Sequence, residues 1–209
     1  AESPIRMVES GPAGGALAAA YFGALSGYEN VIAFDMGGTT AKSCIIENSR
    51  PHFTFNFEIA RVKRFKKNSG LPIQIPCIEL IEAGAGGGSI AYIDELGLLK
   101  VGPESQGASP GPACYGLGGN RPTVTDADLI LGYINSEYFL GGSMEIFTEA
   151  AIQAIKKNIA EPLKIQEVQA AWGIHELVNE TMASATRIQL SERGLDPRNF
   201  TLIATGGAG

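Results

Sequence analysis

The sequence is poor in the residues from which most metal and redox sites are built. Three cysteines and two histidines occur in 209 residues. Cys44, Cys77 and Cys114 stand far apart with no CxxC pair, so neither a disulfide framework nor a zinc site is expected, and a reducing cytoplasm suits the chain. His52 and His175 are too few for a histidine-rich metal centre. No uninterrupted apolar stretch approaches the roughly 18 residues of a membrane span, and the first residues lack a basic-then-apolar signal pattern. Positive charge is also in deficit. Sixteen Lys and Arg against 22 Asp and Glu leave a net charge of −6, which gives no general attraction to nucleic acid or an anionic membrane. The basic run Arg61, Lys63, Arg64, Lys66 and Lys67 contains a single aromatic, Phe65, and reads as a solvated strand end rather than a nucleic-acid patch.

Glycine, by contrast, is abundant. Its 27 copies are nearly twice the roughly 7% average, and they cluster in loops. With 44% hydrophobic residues, the chain can bury one core or two small lobes. The most informative run is Val31-Ile-Ala-Phe-Asp35-Met-Gly37-Gly38-Thr39-Thr40, followed at once by a second apolar run to Ile46. Two such runs joined at Gly-Gly predict a β-hairpin, glycine supplying the positive φ of a tight turn. Asp35 then stands where a buried strand surfaces, beside a turn of unshielded backbone N–H groups. That pattern suits a phosphate cradle whose carboxylate holds a cation through water, with the Thr39 and Thr40 hydroxyls as added donors. An ordinary Asp/Gly turn satisfies the same residues.

Along the chain, Ser10-Gly11-Pro12 opens a helix that runs to about residue 26, with Leu17, Tyr21, Ala24 and Leu25 on one side and Gly27 as its stop. Its other positions are mainly alanine and glycine, so another backbone could approach closely; that suits a helix packed between lobes, and an ordinary core helix is the other reading. The run from Phe53 to Ile59 alternates and predicts a third, half-exposed strand. Residues 71–122 are rich in glycine and proline, with short strands expected at 78–81, 90–93 and 98–101. Two long loops stand out there, 82–89 and 107–116. The first lacks a full GxGxxG and a following helix, so a Rossmann reading is weak. Thr125 or Asp126 is expected to cap a helix over 129–133, with metal or substrate contact as the other reading. Helices are further expected over 147–159, with Ala151, Ala154, Ile155 and Ile159 inward, and over 166–192, with Val168, Ala171, His175, Val178, Met182 and Ala185 on one face. His175 on that face reads as a buried, hydrogen-bonded residue, and Trp172 as core. Residues 200–204 form a last apolar strand that breaks into Gly206-Gly207-Ala208-Gly209, where a flat ring or a phosphate can approach the backbone. A chain that stops there is expected to be a piece of a longer protein.

Seven motifs in this order resemble the hydantoinase A/5-oxoprolinase family, which includes a related acetone carboxylase subunit: SGPAGG at 10–15, DMGGTT at 35–40, GAGGGSIA at 84–91, VGPES at 101–105, PGPACYG at 110–116, PTVTDAD at 122–128 and GGAG at 206–209. The resemblance spans essentially the whole chain. It implies an α/β, ribonuclease-H-like lobe of the actin/hexokinase/Hsp70 ATPase superfamily, with Gly/Pro-rich insertions. The order of helix, hairpin and terminal loop implies the second of two lobes, so the N-terminal lobe, with its own hairpin, is an expected partner from the same protein. The parts expected are a connecting helix at 10–27, phosphate hairpin and strands at 31–60, a Gly-rich insertion at 71–122, a helical part at 123–194 and an adenosine-loop strand at 200–209.

The family's activity implies ATP hydrolysis coupled to the opening of a hydantoin or 5-oxoproline ring, with a hydantoinase B type subunit or domain as a further partner. By the same resemblance Asp35 is the catalytic and Mg²⁺-positioning residue. Gly37, Gly38, Thr39 and Thr40 cradle ATP phosphates, and Gly206, Gly207 and Ala208 face the adenosine. The family's hairpin often reads DMGGTxTD, and Lys42 departs from it at the last position, so no metal role carries over there. The loops at 84–89 and 110–116 are candidates for substrate or inter-lobe contact. Cys114 has no base near it in sequence and reads as a buried thiol. A ketone carboxylase subunit and a nucleotide-regulated binding module are the alternatives.

Overall fold

The computed structural model describes residues 10–55, 57–59 and 70–208; the basic run at 61–67 and Gly209 lie outside them. A five-stranded sheet organises the fold. Strand β1 (Val31–Met36) occupies its middle, antiparallel to β2 (Ala41–Glu47) and parallel to the last strand, with the short β3 (Arg50–Pro51) and β4 (Ile81–Ala83) both pairing to β2. A ribbon of β5 (Ser89–Ile93) and β6 (Leu99–Ser105) follows, and β7 (Thr201–Thr205) closes the chain beside β1. The hairpin therefore forms where the two apolar runs put it. Val31, Ile32 and Ala33 are buried, as a strand covered on both faces requires.

Helix α1 (Ser10–Leu25) covers one face of this sheet. The sheet lies against the alanine and glycine positions, where close backbone approach is expected. Ala16, Ala19, Ala20 and Gly23 face the strands, while Leu17, Tyr21, Phe22 and Leu25 are exposed. A Cβ on Gly23 would lie 2.8 Å from Val31 Cγ2, so helix and sheet approach too closely for anything larger than alanine between them.

Three helices build the other side: α2 (Val124–Ile130), α3 (Thr148–Ile155) and the long α4 (Glu167–Glu192). The expected α3 positions Ala151, Ala154, Ile155 and Ile159 are all buried, the last in a π-helical turn, Lys156–Ala160, that prolongs the helix. In α4 the buried stripe is Ala170, Ala171, Ile174, Val178, Met182 and Ala185. Val168 and Trp172 are 57% and 48% exposed, a correction to the expected face: the buried stripe begins at Ala170 and takes Ile174 where His175 was expected. Helix α2 also starts earlier than expected. Its cap is Thr123, whose hydroxyl accepts from the Asp126 N–H while the Asp126 side chain accepts from the Thr123 N–H.

The alternating run at 53–59 is not one strand of the main sheet. It gives two short pieces, Phe53–Thr54 and Phe57–Ile59, paired with Cys77–Ile78 and Leu71–Ile73 in ladders of their own. Phe53 and Phe55 stay exposed, so alternation there does not mark a half-buried sheet face. Among the described residues no helix is long and apolar enough to cross a membrane.

Candidate functional site

At the carboxyl ends of β1 and β7 the candidate residues converge. Asp35 pairs with Thr205 in the parallel register. Alternation along β1 sends Phe34 and Met36 toward α4 and the Asp35 carboxylate toward α1, where a Cβ on Gly15 would be 3.9 Å from its Oδ2. Gly206 lies over the other oxygen. A Cβ there would sit 2.5 Å from Asp35 Oδ1 and 2.3 Å from the Met36 carbonyl, and its φ is +96°, so glycine is demanded by both space and backbone. The loop is tied down by the Ala208 N–H, which donates to the Met36 carbonyl at 3.0 Å. The Thr205 hydroxyl donates to the Phe34 carbonyl.

The hairpin turn Gly37-Gly38-Thr39-Thr40 is closed by the Gly37 N–H donating to the Thr40 carbonyl at 3.0 Å. Neither Gly37 nor Gly38 takes a positive φ, which corrects the reason given for these glycines. Their use is bareness. A Cβ on Gly38 would touch nothing within 4 Å and one on Gly37 only the Thr40 carbonyl at 3.8 Å, so the turn shows naked backbone. Among the described residues the Gly38 and Thr39 N–H groups donate to no protein atom, and Thr39 is exposed at the tip.

The loop at 84–88 lies against this turn. Gly87 and Gly88 N–H groups donate to the Gly37 and Gly38 carbonyls at 3.1 and 2.6 Å, and a Cβ on Gly86 would fall 2.7 Å from the turn's backbone. Thr125 holds the loop from behind, its N–H and hydroxyl both donating to the Gly87 carbonyl at 2.8 Å. Ser105 donates to the Gly38 carbonyl at 3.4 Å. The glycines of that loop thus serve close packing on the hairpin, and spend its carbonyls while leaving two N–H groups outward.

Asp126 belongs to a different task. Fully buried, it accepts from the N–H groups of Ala113, Cys114 and Thr123 and from the Thr123 hydroxyl, at 2.8 to 3.2 Å. It anchors the 110–116 loop, and Cys114 within it is fully buried, its thiol pushed up by desolvation and by the nearby Asp126 charge. A nucleophilic role for Cys114 has no geometric support.

Sequence reasoning missed a cluster on the α4 side. His175 Nδ1 is 2.9 Å from Asp128 Oδ1 and its Nε2 is 2.9 Å from Asn179 Nδ2, with Tyr133 and Trp172 stacked on the ring at 4.8 and 5.7 Å. Burial raises the Asp128 carboxyl above its usual range, against the pull of the His175 hydrogen bond. His175 is hydrogen-bonded as expected, but half-buried at a rim rather than in the core. Only Asp128 lay inside a motif; nothing in the spacing pointed to Tyr133 or Asn179.

Among the described residues no three His, Cys, Asp or Glu side chains converge as a metal centre. Asp35 beside a bare turn with two outward N–H groups fits a magnesium ion that keeps waters and phosphate oxygens as its other ligands, and fits a polyphosphate chain on the backbone donors.

A central parallel–antiparallel sheet flanked by helices, with a carboxylate hairpin and a glycine loop at one strand end, makes this an α/β lobe of the ribonuclease-H-like, actin-like ATPase class. Comparison gives the particular family. The hydantoinase/oxoprolinase family model matches residues 1–209, and the chain belongs to that family. The caprolactamase alpha subunit of Pseudomonas jessenii is 45% identical over 207 residues, covering 99% of this chain and 28% of that protein. The acetophenone carboxylase gamma subunit of Aromatoleum aromaticum is 42% identical over 206 residues, covering 98% and 27%. The nucleotide-free structure of acetone carboxylase superposes with a TM-score of 0.84 at 30% identity, over 99% of this chain and 28% of that one. The chain therefore spans under a third of the length of these relatives.

Proposed function

We propose that this chain is the second nucleotide-binding lobe of an ATP-dependent amidohydrolase that opens a hydantoin, 5-oxoproline or related lactam ring. The observation that carries the reading is the convergence of Asp35, the bare Gly37–Gly38 turn and the Gly206 loop at one end of β1 and β7. In it Asp35 positions Mg²⁺ through water, Gly37, Gly38, Thr39 and Thr40 hold phosphate oxygens, and Gly206, Gly207 and Ala208 face the adenosine. Bound MgATP supplies the phosphoryl group that makes a resonance-stabilised amide carbon electrophilic. The chain's own contribution is placement and charge neutralisation, which carry most of phosphoryl-transfer catalysis. An N-terminal lobe of the same protein completes the clamp, and a hydantoinase B type subunit or domain is the further partner. Support for such partners comes from the relatives, which are named as subunits and are more than three times as long. Three free cysteines, two of them buried, suit a reducing cytoplasm.

One comparison favours a second reading. At 42% against 45% identity, the carboxylase and lactamase relatives are nearly equidistant, so a subunit of an ATP-dependent ketone carboxylase stands beside the hydrolase. ADP release from the full-length protein separates them. Stimulation by hydantoin, 5-oxoproline or caprolactam supports the hydrolase; stimulation only by a ketone with bicarbonate supports the carboxylase. ATP turnover that no small molecule stimulates would point to a nucleotide-regulated module. Asp35→Asn should abolish MgATP turnover in either enzyme while the fold persists, and unchanged turnover would sink the site.

A further inference from the structure

Three charged residues stand in one row across the sheet. In the β1–β2 ladder Asp35 lies directly opposite Lys42, and in the β2–β4 ladder Lys42 lies directly opposite Glu82. Directly opposite residues project from the same face with Cβ atoms about 4.5–5.5 Å apart, so Lys42 stands between two carboxylates on the face that carries Asp35. Val31, Ala33, Cys44 and Ile46 share that alternation and pack on the alanines of α1. The neighbours of Lys42 in β2 turn the other way: Ala41 joins the core on the α4 side, and the buried Ser43 hydroxyl donates to Gln189 of α4.

The row ends in open space. Among the described residues, a Cβ on Gly11 or Gly14 would meet nothing within 4 Å, and one on Gly15 would come no nearer than 3.9 Å to Asp35 Oδ2. The first turn of α1 holds no acidic residue. Lys42 is half-buried and follows the bare Gly37–Thr40 turn by two positions, while Glu82 is exposed at the far end of the row. A phosphate chain lying on that turn comes close to the Asp35 carboxylate, and the repulsion between them has to be offset by positive charge. An ammonium on a four-carbon stem reaches past its cross-strand neighbour and binds phosphate as a point charge. Where the family's hairpin often carries a second aspartate, this chain carries that charge itself.

Resting on the reading that the Asp35 hairpin holds the triphosphate, we infer that Lys42 is a phosphate-binding residue of this chain. Held beside Asp35 by the strand register, its ammonium donates to phosphate oxygens and acts as a fixed cation of the site.

The test is equilibrium binding of magnesium tripolyphosphate and of adenosine to the full-length protein and its variants, with thermal melts to establish that each variant is folded. Lys42→Met should weaken tripolyphosphate about ten-fold or more, through the loss of a charge-assisted hydrogen bond. It should leave adenosine within about two-fold, since that ligand carries no phosphate. Lys42→Arg keeps the charge and should recover most of the loss, whereas Lys42→Asp should weaken tripolyphosphate further. Raising the salt from about 0.05 to about 0.5 M should narrow the gap between wild type and Lys42→Met, because screening acts on charge; a merely structural role would not give that response. Tripolyphosphate binding near wild type in Lys42→Met, equal weakening of both ligands, or a gap that salt leaves unchanged overturns the inference. An Asp35→Asn variant that keeps tripolyphosphate overturns the hairpin reading instead, and does so whatever the Lys42 variants show.

Discussion

Asp35 sits between two glycines that leave room for it, Gly15 on α1 and Gly206 on the terminal loop. The chemistry proposed for one carboxylate therefore depends on side chains that are missing. Gly206→Ala would force a Cβ into the Met36 carbonyl and a residue with a side chain into a φ of +96°. A loss of about 1–3 kcal/mol in chemical denaturation is expected from the overpacking, together with loss of ATP turnover. Gly38→Ala is the contrasting case. With nothing within 4 Å of the added methyl, stability should change by less than about 0.5 kcal/mol, while turnover falls because the methyl stands where phosphate oxygens are proposed to lie. Asp126→Ala acts through the fold instead. Three buried N–H groups lose their acceptor, at about 1–3 kcal/mol for each one left unpaired, so denaturation midpoints should drop steeply.

Elements meet at this site by close backbone approach, which explains the glycine content better than turn geometry does. The 84–88 loop can lie on the hairpin only because Gly86 has no side chain. Gly86→Ala should detach that loop and lower stability by about 1–3 kcal/mol, and the Gly87 and Gly88 amides, which bond to the turn, should exchange faster with solvent in hydrogen-exchange measurements. How much of this was legible differs by element. The hairpin, α3 and α4 were readable because apolar periodicity and element length agree there. In α1 the alanine and glycine positions marked where a backbone could come close, and Ala16, Ala19, Ala20 and Gly23 do face the sheet; that Leu17 and Tyr21 stay exposed was not legible, because hydrophobicity alone favours burying them. The run at 53–59 alternates like a sheet strand, yet its partners are local segments from 71–78, a choice that alternation does not encode.

On the scale of the molecule, α1 turns Leu17, Tyr21, Phe22 and Leu25 outward on the helix that begins the described chain. Because these side chains are exposed, replacing Tyr21 and Phe22 by serine in the 209-residue chain should leave its stability within about 1 kcal/mol, two surface substitutions at about 0.5 each, as thermal melts would report. The same chain, under a third as long as its relatives, is expected to fold and to show no ATP turnover, measured as ADP release. Residue order by itself determined the family, the Asp35 hairpin and the inward faces of α3 and most of α4, because motif identity and periodicity are local properties. Only the tertiary structure decided that Gly206 roofs Asp35, that the 84–88 loop packs on the hairpin, and that Asp128, Tyr133, His175 and Asn179 form one cluster. Those groups are brought together by β7 pairing parallel to β1 and by α4 crossing the sheet, contacts between residues far apart in the chain that no local pattern records.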